Sequence, residues 1–259
     1  MNKAEKAYRE LLSMDRLSSM DSHMHRLHPL SKLAATAAYI LITASFHKYD
    51  VFALFAMLLF PVAAYQFALI PIRTCFQKLW LLLPIVCAVG LLNPLFDRSI
   101  LFYVGAVPVS GGVVSFITLM MKGIFCLLAS FLLAATTPVE ALCRALRKIH
   151  VPKLICSLLL LTFRYATVLL EEAAIMTDAY HLRSPRQKGI HFSAWGSFLG
   201  QMLLRSTDRA EALYESMRLR GYDGEFDYCG AEQKHTLSSA AFALISIAAM
   251  LLVRYYDPR

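Results

Sequence analysis

Apolar residues run in long blocks along this chain, and polar residues mark the gaps between them. Five blocks read as membrane-spanning helices, at about 30–47, 51–70, 79–96, 113–136 and 237–253. A helix needs ~20 apolar residues to cross ~30 Å of hydrocarbon, so the first and last stand near the short end. The third contains Pro84 and Asn93-Pro94. Proline there predicts a kink and a need for protein neighbours to satisfy the freed carbonyl. Residues 1–29 form a polar lead-in in which Tyr8-Arg9-Glu10-Leu11-Leu12 predicts a short amphipathic helix at a membrane surface. The lead-in holds no apolar core of the signal-peptide kind, so no cleavable leader is expected.

The block between 137 and 236 follows a different pattern. Thr137-Pro138-Val139-Glu140 has the form of a capping box with proline at the first helical position, predicting a helix over 138–149. Val151-Pro152 starts another. Residues 154–176 begin almost entirely apolar and then gain Arg164, Glu171 and Glu172, the pattern of a long helix that starts at membrane depth and runs out into water. Arg164 has the option of pairing with a carboxylate in the same region. Residues 191–217 predict a last long helix, apolar first and amphipathic later, with Ala210, Leu213, Tyr214 and Met217 on one stripe and Asp208, Arg209, Glu211 and Glu215 on the solvated side.

Composition supports the membrane class. The chain is 58% hydrophobic and 17% charged, against ~25% charged for an ordinary soluble domain. The net charge of +8 then bears on orientation more than on nucleic acid, and no nucleic-acid partner is expected. Lys and Arg concentrate in the lead-in, in the 71–78 connection and in 137–236, whereas Lys48, Arg98, Arg254 and Arg259 fall on the other side. This places the N-terminus in the cytoplasm and the C-terminus outside. The expected fold is all-α: a polytopic membrane protein of about five transmembrane helices plus a cytoplasmic helical coupling domain. The divisions are 1–29 (cytoplasmic segment), 30–136 (helices 1–4), 137–236 (coupling domain) and 237–259 (last span and tail).

The chemistry is sparse. No GxxxxGK[ST] loop, HExxH or GxSxG motif occurs, and no paired carboxylates lie within a span. An intramembrane enzyme is therefore disfavoured. Cys75, Cys87, Cys126, Cys143, Cys156 and Cys229 form no CxxC pair and read as small buried hydrophobes. His23, His25 and His28 cluster before the first span, and imidazoles suit zinc, cobalt or nickel. Asp21 is the one carboxylate near them, so they are weak metal candidates beside the plainer reading of a solvated membrane-proximal segment. Lys122, inside the fourth span, either faces a polar interior or is a packing or snorkelling lysine.

Two helix ends share one grammar. Met217-Arg218-Leu219-Arg220-Gly221 closes the last cytoplasmic helix, and Leu182-Arg183-Ser184-Pro185 closes an amphipathic run 37 residues earlier. Each has Leu-Arg, a small residue and a breaker. A cation at a helix C-terminus opposes the negative end of the dipole, which accounts for either copy alone. Two copies also suit docking, because a guanidinium fork binds a carboxylate bidentately. Within the second copy Arg220 is the stronger candidate and Arg218 a solvated neighbour.

These residues carry a resemblance. His25-Arg26-Leu27-His28-Pro29-Leu30-Ser31-Lys32 resembles the HRLxPxxK start of the T component of energy-coupling factor (ECF) transporters, and most closely its CbiQ-type subunit of cobalt and nickel importers. Thr136-Thr137-Pro138-Val139-Glu140, Val151-Pro152, Phe163-Arg164-Tyr165, Glu171-Glu172 and Met176 follow that family's central pattern. Leu182-Arg183-Ser184 and Leu219-Arg220-Gly221 resemble its paired Ala-Arg-Gly signatures, with Leu for Ala in both and Ser for Gly in the first. The resemblance covers about 20–250. It implies a multi-pass scaffold in a prokaryotic cell membrane that binds two ABC ATPase subunits through Leu182, Arg183, Ser184, Leu219, Arg220 and Gly221. A separate substrate-binding membrane S component would complete the complex. It implies no cofactor bound to this chain, ATP being used by the ATPases. The HRLHP start and the Arg-Gly-Tyr-Asp-Gly tail favour cobalt or nickel over a vitamin substrate, and a non-transport membrane adaptor is the other alternative.

Overall fold

The computed structural model describes residues 3–18, 20, 22–47, 50–68, 70, 83–84, 86–91, 93, 100–104, 107–185, 189–222, 224 and 237–256. Nine helices and one hairpin are delimited among them: α1 (Lys3–Ser18), α2 (Pro29–Ser45), α3 (Val51–Met57), α4 (Leu59–Ala68), β1 (Ile100–Val104), β2 (Val107–Ser110), α5 (Gly111–Thr136), α6 (Val139–Lys148), α7 (Lys153–Arg183), α8 (Phe192–Leu219) and α9 (Leu237–Tyr255). The fold is all-α apart from the antiparallel β1–β2 pair. Chain contacts divide it into one unit of Leu17–Pro138 with Glu232–Arg259, and another of Met1–Arg16 with Val139–Ala231.

In the first unit, α5 is the central helix, and α2, α3 and α4 pack on it. Helix α9 packs on α2 and α3. Helix α5 matches the fourth expected span and α9 the fifth, and both are long and apolar enough to cross a membrane. Helix α2 has 17 residues, roughly 25 Å, and corresponds to the first. The second expected span is broken into α3 and α4 at Leu58. The third lies largely outside the described residues. Of it, 83–84, 86–90 and 93 are helical, and a methyl added at Gly123 of α5 would meet Val86 Cγ1 at 2.8 Å, so glycine lets this stretch approach α5 closely. Helix α7 is also long and apolar enough to span, although its pattern reads as part of the helical coupling domain.

Pro61 explains the break at Leu58. Proline has no N–H to give the carbonyl four residues back, which is that of Met57. Buried Tyr39 on α2 supplies the missing donor: its hydroxyl donates to the Met57 carbonyl at 3.0 Å. Its ring stacks on Phe60, with centroids 5.0 Å apart. Tyr65 also reaches across the bundle, its hydroxyl donating to the Leu128 carbonyl at 3.0 Å. Three threonines of α2 and α5 satisfy their hydroxyls locally, Thr36 on Lys32, Thr118 on Val114 and Thr136 on Leu132, whereas the buried Thr43 hydroxyl of α2 has no partner among the described residues.

Two lysines close the α2–α5 pair at both ends. Lys32, near the start of α2, donates from Nζ to the carbonyl of Thr136, the last residue of α5, at 2.8 Å. Lys122 on α5 donates to the carbonyls of Ala44, at 3.3 Å, and Phe46 at the end of α2. Helix ends leave four carbonyls without intrahelical partners and carry the negative end of the dipole. Each lysine meets both demands. Of the two readings of Lys122, the packing lysine is therefore the one found.

The start of α2 is set by His28, whose Nδ1 accepts from the Leu30 N–H at 3.2 Å, with Pro29 as the first helical residue. Before it, buried Met24 packs in a cluster with Ala64, Tyr65, Ala68, Leu132 and Ala135.

In the second unit, α6 packs on α7 with Ala141, Cys143, Ala145, Cys156 and Ser157 buried. Helix α6 ends in a Schellman motif: the Val151 N–H reaches the Leu146 carbonyl at 3.3 Å and the His150 N–H the Arg147 carbonyl at 3.1 Å. His150 stands there at φ 66°, a place usually held by glycine. The expected capping box at the start of α6 is not formed. Helix α6 begins at Val139, and Thr137 Oγ1 is buried without a hydrogen-bond partner among the described residues. Helix α1 belongs to this second unit through residue 16.

Tyr39→Phe should leave the Met57 carbonyl without its donor and cost about 1–3 kcal/mol, read as a lowered midpoint of thermal unfolding in detergent. Adding Pro61→Ala, which restores the helical N–H, should recover part of that loss in a double-mutant cycle.

Candidate functional site at two arginine-bearing helix ends

Helices α7 and α8 form an antiparallel hairpin held by polar contacts more than by a core. Among the described residues α8 buries no side chain. At the turn, the His191 N–H donates to the Tyr180 hydroxyl at 3.3 Å. His191 also caps α8, its Nδ1 2.8 Å from Ser193 Oγ. Midway, Glu172 of α7 is paired with both Arg205 and Arg209 of α8, the latter at 3.6 Å. The two arginines are four apart and share one helix face. Arg164, in contrast, is exposed without an ion pair among the described residues. Beyond this clamp the helices diverge over an open, mostly apolar groove of about 320 Å³ lined by Leu161, Tyr165, Leu169, Leu213, Tyr214 and Met217.

Arg183 is the last residue of α7. Ser184 follows at φ −132°, its N–H on the Tyr180 carbonyl at 3.0 Å, and Pro185 prevents continuation. Helix α8 ends differently. Arg220 is its C-cap, Gly221 takes φ 82°, and the Tyr222 N–H reaches the Met217 carbonyl while the Gly221 N–H reaches that of Arg218, both at 3.0 Å. This is the Schellman arrangement, and the left-handed residue it needs is why glycine stands there.

The neighbouring cations have different fates. The Arg218 guanidinium lies 5.9 Å above the Tyr214 ring. Arg183 and Arg220 are exposed and, among the described residues, carry no ion pair or hydrogen bond from their side chains. Each stands next to a leucine with almost nothing on it, Leu182 at 84% and Leu219 at 90% exposure. Because the hairpin is antiparallel, the two ends point in opposite directions. Helix α8 is 28 residues, so Arg183 and Arg220 stand roughly 40 Å apart. Each presents an always-charged fork beside an apolar knob, a pair suited to a groove with carboxylates and an apolar floor.

The histidine cluster is built differently. His25 is buried with both ring nitrogens used: Nε2 faces the Leu17 carbonyl at 3.0 Å and must carry the proton, so Nδ1 accepts from Ser22 Oγ at 2.7 Å. His28 Nδ1 is the α2 cap, and His23 is exposed. Of the three, His25 alone has both ring nitrogens engaged by the bonds described, and among the described residues no group of three His, Cys, Asp or Glu is disposed to hold an ion. Asp21 lies outside the described residues. Cys87, Cys126, Cys143 and Cys156 are free thiols, and Cys75 and Cys229 lie outside the described residues. Burial pushes the Cys143 thiol up, with Cys156 and Glu140 adding to the shift.

Missed by the sequence were the Glu172–Arg205–Arg209 clamp and the Tyr180–His191 contact that make the hairpin. The four-residue spacing of the two arginines was the available signal, and only the fold says which carboxylate they meet.

Comparison with known proteins gives a consistent picture. The family described as cobalt transport protein, CbiQ, matches residues 20–229. The chain is 35% identical over 96 residues to cobalt transport protein CbiQ of Rhodobacter capsulatus, covering 36% of this chain and 38% of that protein. It is 27% identical over 224 residues to the energy-coupling factor transporter transmembrane protein EcfT of Leuconostoc gelidum, covering 78% and 80%. Nickel permease LarQ of Lactiplantibacillus plantarum is 28% identical over 91 residues, 35% of this chain and 33% of that one. The alignment thus spans about two fifths of the Rhodobacter protein and most of the Leuconostoc one. Among the described residues three helices are long and apolar enough to cross a membrane, as a multi-pass membrane protein requires. The chain belongs to the CbiQ family of cobalt transport proteins.

Proposed function

We propose that this chain is the transmembrane scaffold of an ECF-type importer, passing the motion of two ABC ATPase subunits to a substrate-binding membrane S component. The observation that carries the reading is the pair of exposed arginines, unpaired among the described residues, at opposite ends of the α7–α8 hairpin. Every other described arginine of this hairpin beyond Arg164 is engaged, on Glu172 or on Tyr214. Among the described residues this leaves Arg183 and Arg220 at the two ends, and Arg164 within α7, as the arginines open to a partner. Two ends set roughly 40 Å apart suit two partner subunits better than one. Leu182 and Leu219 supply the apolar part of each contact, and Ser184 and Gly221 end the helices so that the arginines can enter a groove.

The cargo reading is a cobalt or nickel ion, supported by relatives that carry those names. A vitamin-importing assembly is the alternative, supported by the EcfT relative. Selection among them belongs to the S component. ATP acts on the partner ATPases. The N-terminus and the α6–α8 unit are cytoplasmic, in the cell membrane of a prokaryote, which the Lys and Arg distribution supports.

Arg183→Glu with Arg220→Glu should reduce co-purification of the ATPase pair at least about tenfold and abolish uptake, with the amount of protein in the membrane unchanged. ATPase binding that survives in the double variant would overturn the docking reading. For orientation, Ser184→Cys and Tyr255→Cys in a background without native cysteines should react oppositely with a membrane-impermeant maleimide on intact cells: Cys at 255 labelled, Cys at 184 protected until the cells are opened.

A further inference from the structure

Lys32 is 3% exposed, and its one side-chain partner among the described residues is the Thr136 carbonyl, 104 positions away in sequence. No carboxylate pairs with it there. The void beside it, also lined by Met24, Thr36, Leu132 and Thr136, measures about 10 Å³, room for one water at most. The charged group is thus committed to one backbone oxygen. That oxygen belongs to the last residue of α5. The next residue, Thr137, is buried with its hydroxyl unpartnered, and Pro138 has no N–H to contribute. Helix α6 begins at Val139, the first residue of the unit that carries Arg183 and Arg220. The connection is two residues long, and proline restricts both itself and the threonine before it. Beyond it α6 is packed on α7, which ends in Arg183.

We propose that Lys32 is a positioning residue for energy coupling: it fixes the point from which α6 departs, so that movement of the arginine-bearing helices reaches α2 and α5 instead of being lost in slack at the connection. The inference rests on the ATPase-docking reading above. Three features point to coupling beyond simple stability. The lysine grips the residue before the connection and not the middle of a helix. The connection is stiff. The other end of the same helix pair is closed by Lys122, so α2 and α5 respond together.

The test uses the whole complex, reconstituted in vesicles with its two ATPases and its S component, with labelled cobalt and nickel as probes. Two variants remove the proposed stiffness independently. Lys32→Met keeps bulk and loses the bond. Insertion of Gly-Gly between Thr137 and Pro138 keeps the bond and adds slack. Both should hold the ATPases within about twofold of the unaltered complex and hydrolyse ATP at half its rate or more, while ions transported per ATP fall at least tenfold. If the insertion variant transports ions per ATP normally, the inference fails, even where Lys32→Met does not assemble. If either variant loses transport only in proportion to lost ATPase binding, the role is structural and the inference also fails. If the unaltered chain does not hold the ATPases, the docking reading falls first and takes this inference with it.

Discussion

A buried ammonium must find an acceptor, and the end of a helix must find donors. The Lys32–Thr136 bond answers both at the place where α5 stops. Among apolar helices there is little water to satisfy either group, so leaving one unpaired costs more than it would at a surface. The same exchange at Lys122, with the carbonyls of Ala44 and Phe46, makes the α2–α5 pair reciprocal: each helix ends on a lysine from the other. Around this pair the bundle satisfies several other polar groups in kind. Tyr39 replaces the donor that Pro61 lacks, and threonine hydroxyls fold back on their own turns. The packing of α3, α4 and α9 builds on a helix pair whose length and register are already set.

The second unit is assembled on another principle. Helix α8 buries nothing among the described residues, and its attachment to α7 runs through Glu172 with two arginines and through Tyr180 with the α8 cap. Leu154, Leu158, Phe192, Leu199 and Leu203 remain exposed. So much uncovered apolar surface on two long helices is typical of a part that meets partners or lipid. Polar clamps hold the hairpin's geometry without filling its faces, which leaves both ends free. The contrast among the arginines is the informative part. Those at 205, 209 and 218 are absorbed by the hairpin itself, and those at 183 and 220 are not.

Much of this could be read from the residues. Apolar runs located α5 and α9 closely, the His28-Pro29 pair located the start of α2, and Gly221 marked the end of α8 because only a left-handed residue completes that cap. What escaped the sequence were long-range pairings. Nothing local says that Lys32 meets Thr136, or that Tyr39 serves the carbonyl freed by Pro61. Periodicity also could not show that Thr137 would be buried rather than capping α6, since a Thr-Pro-x-Glu string has the same form in either role. The histidine cluster divides in a way that sequence spacing does not show: His25 spends both nitrogens on Leu17 and Ser22, His28 uses Nδ1 on Leu30, and His23 is exposed. The arginine ends were legible as a repeated grammar, and their placement at opposite ends of an antiparallel hairpin was not.

The central claim is that the two ends of one hairpin hold two ATPase subunits at once. Photo-crosslinking from a benzophenone residue placed at position 182 or at position 219, in the assembled transporter, tests it most directly. The account predicts that each position alone yields a covalent product with one ATPase subunit, and that a chain carrying both yields a product containing two. Crosslinks to ATPase from one position only, or to lipid from both, would contradict it.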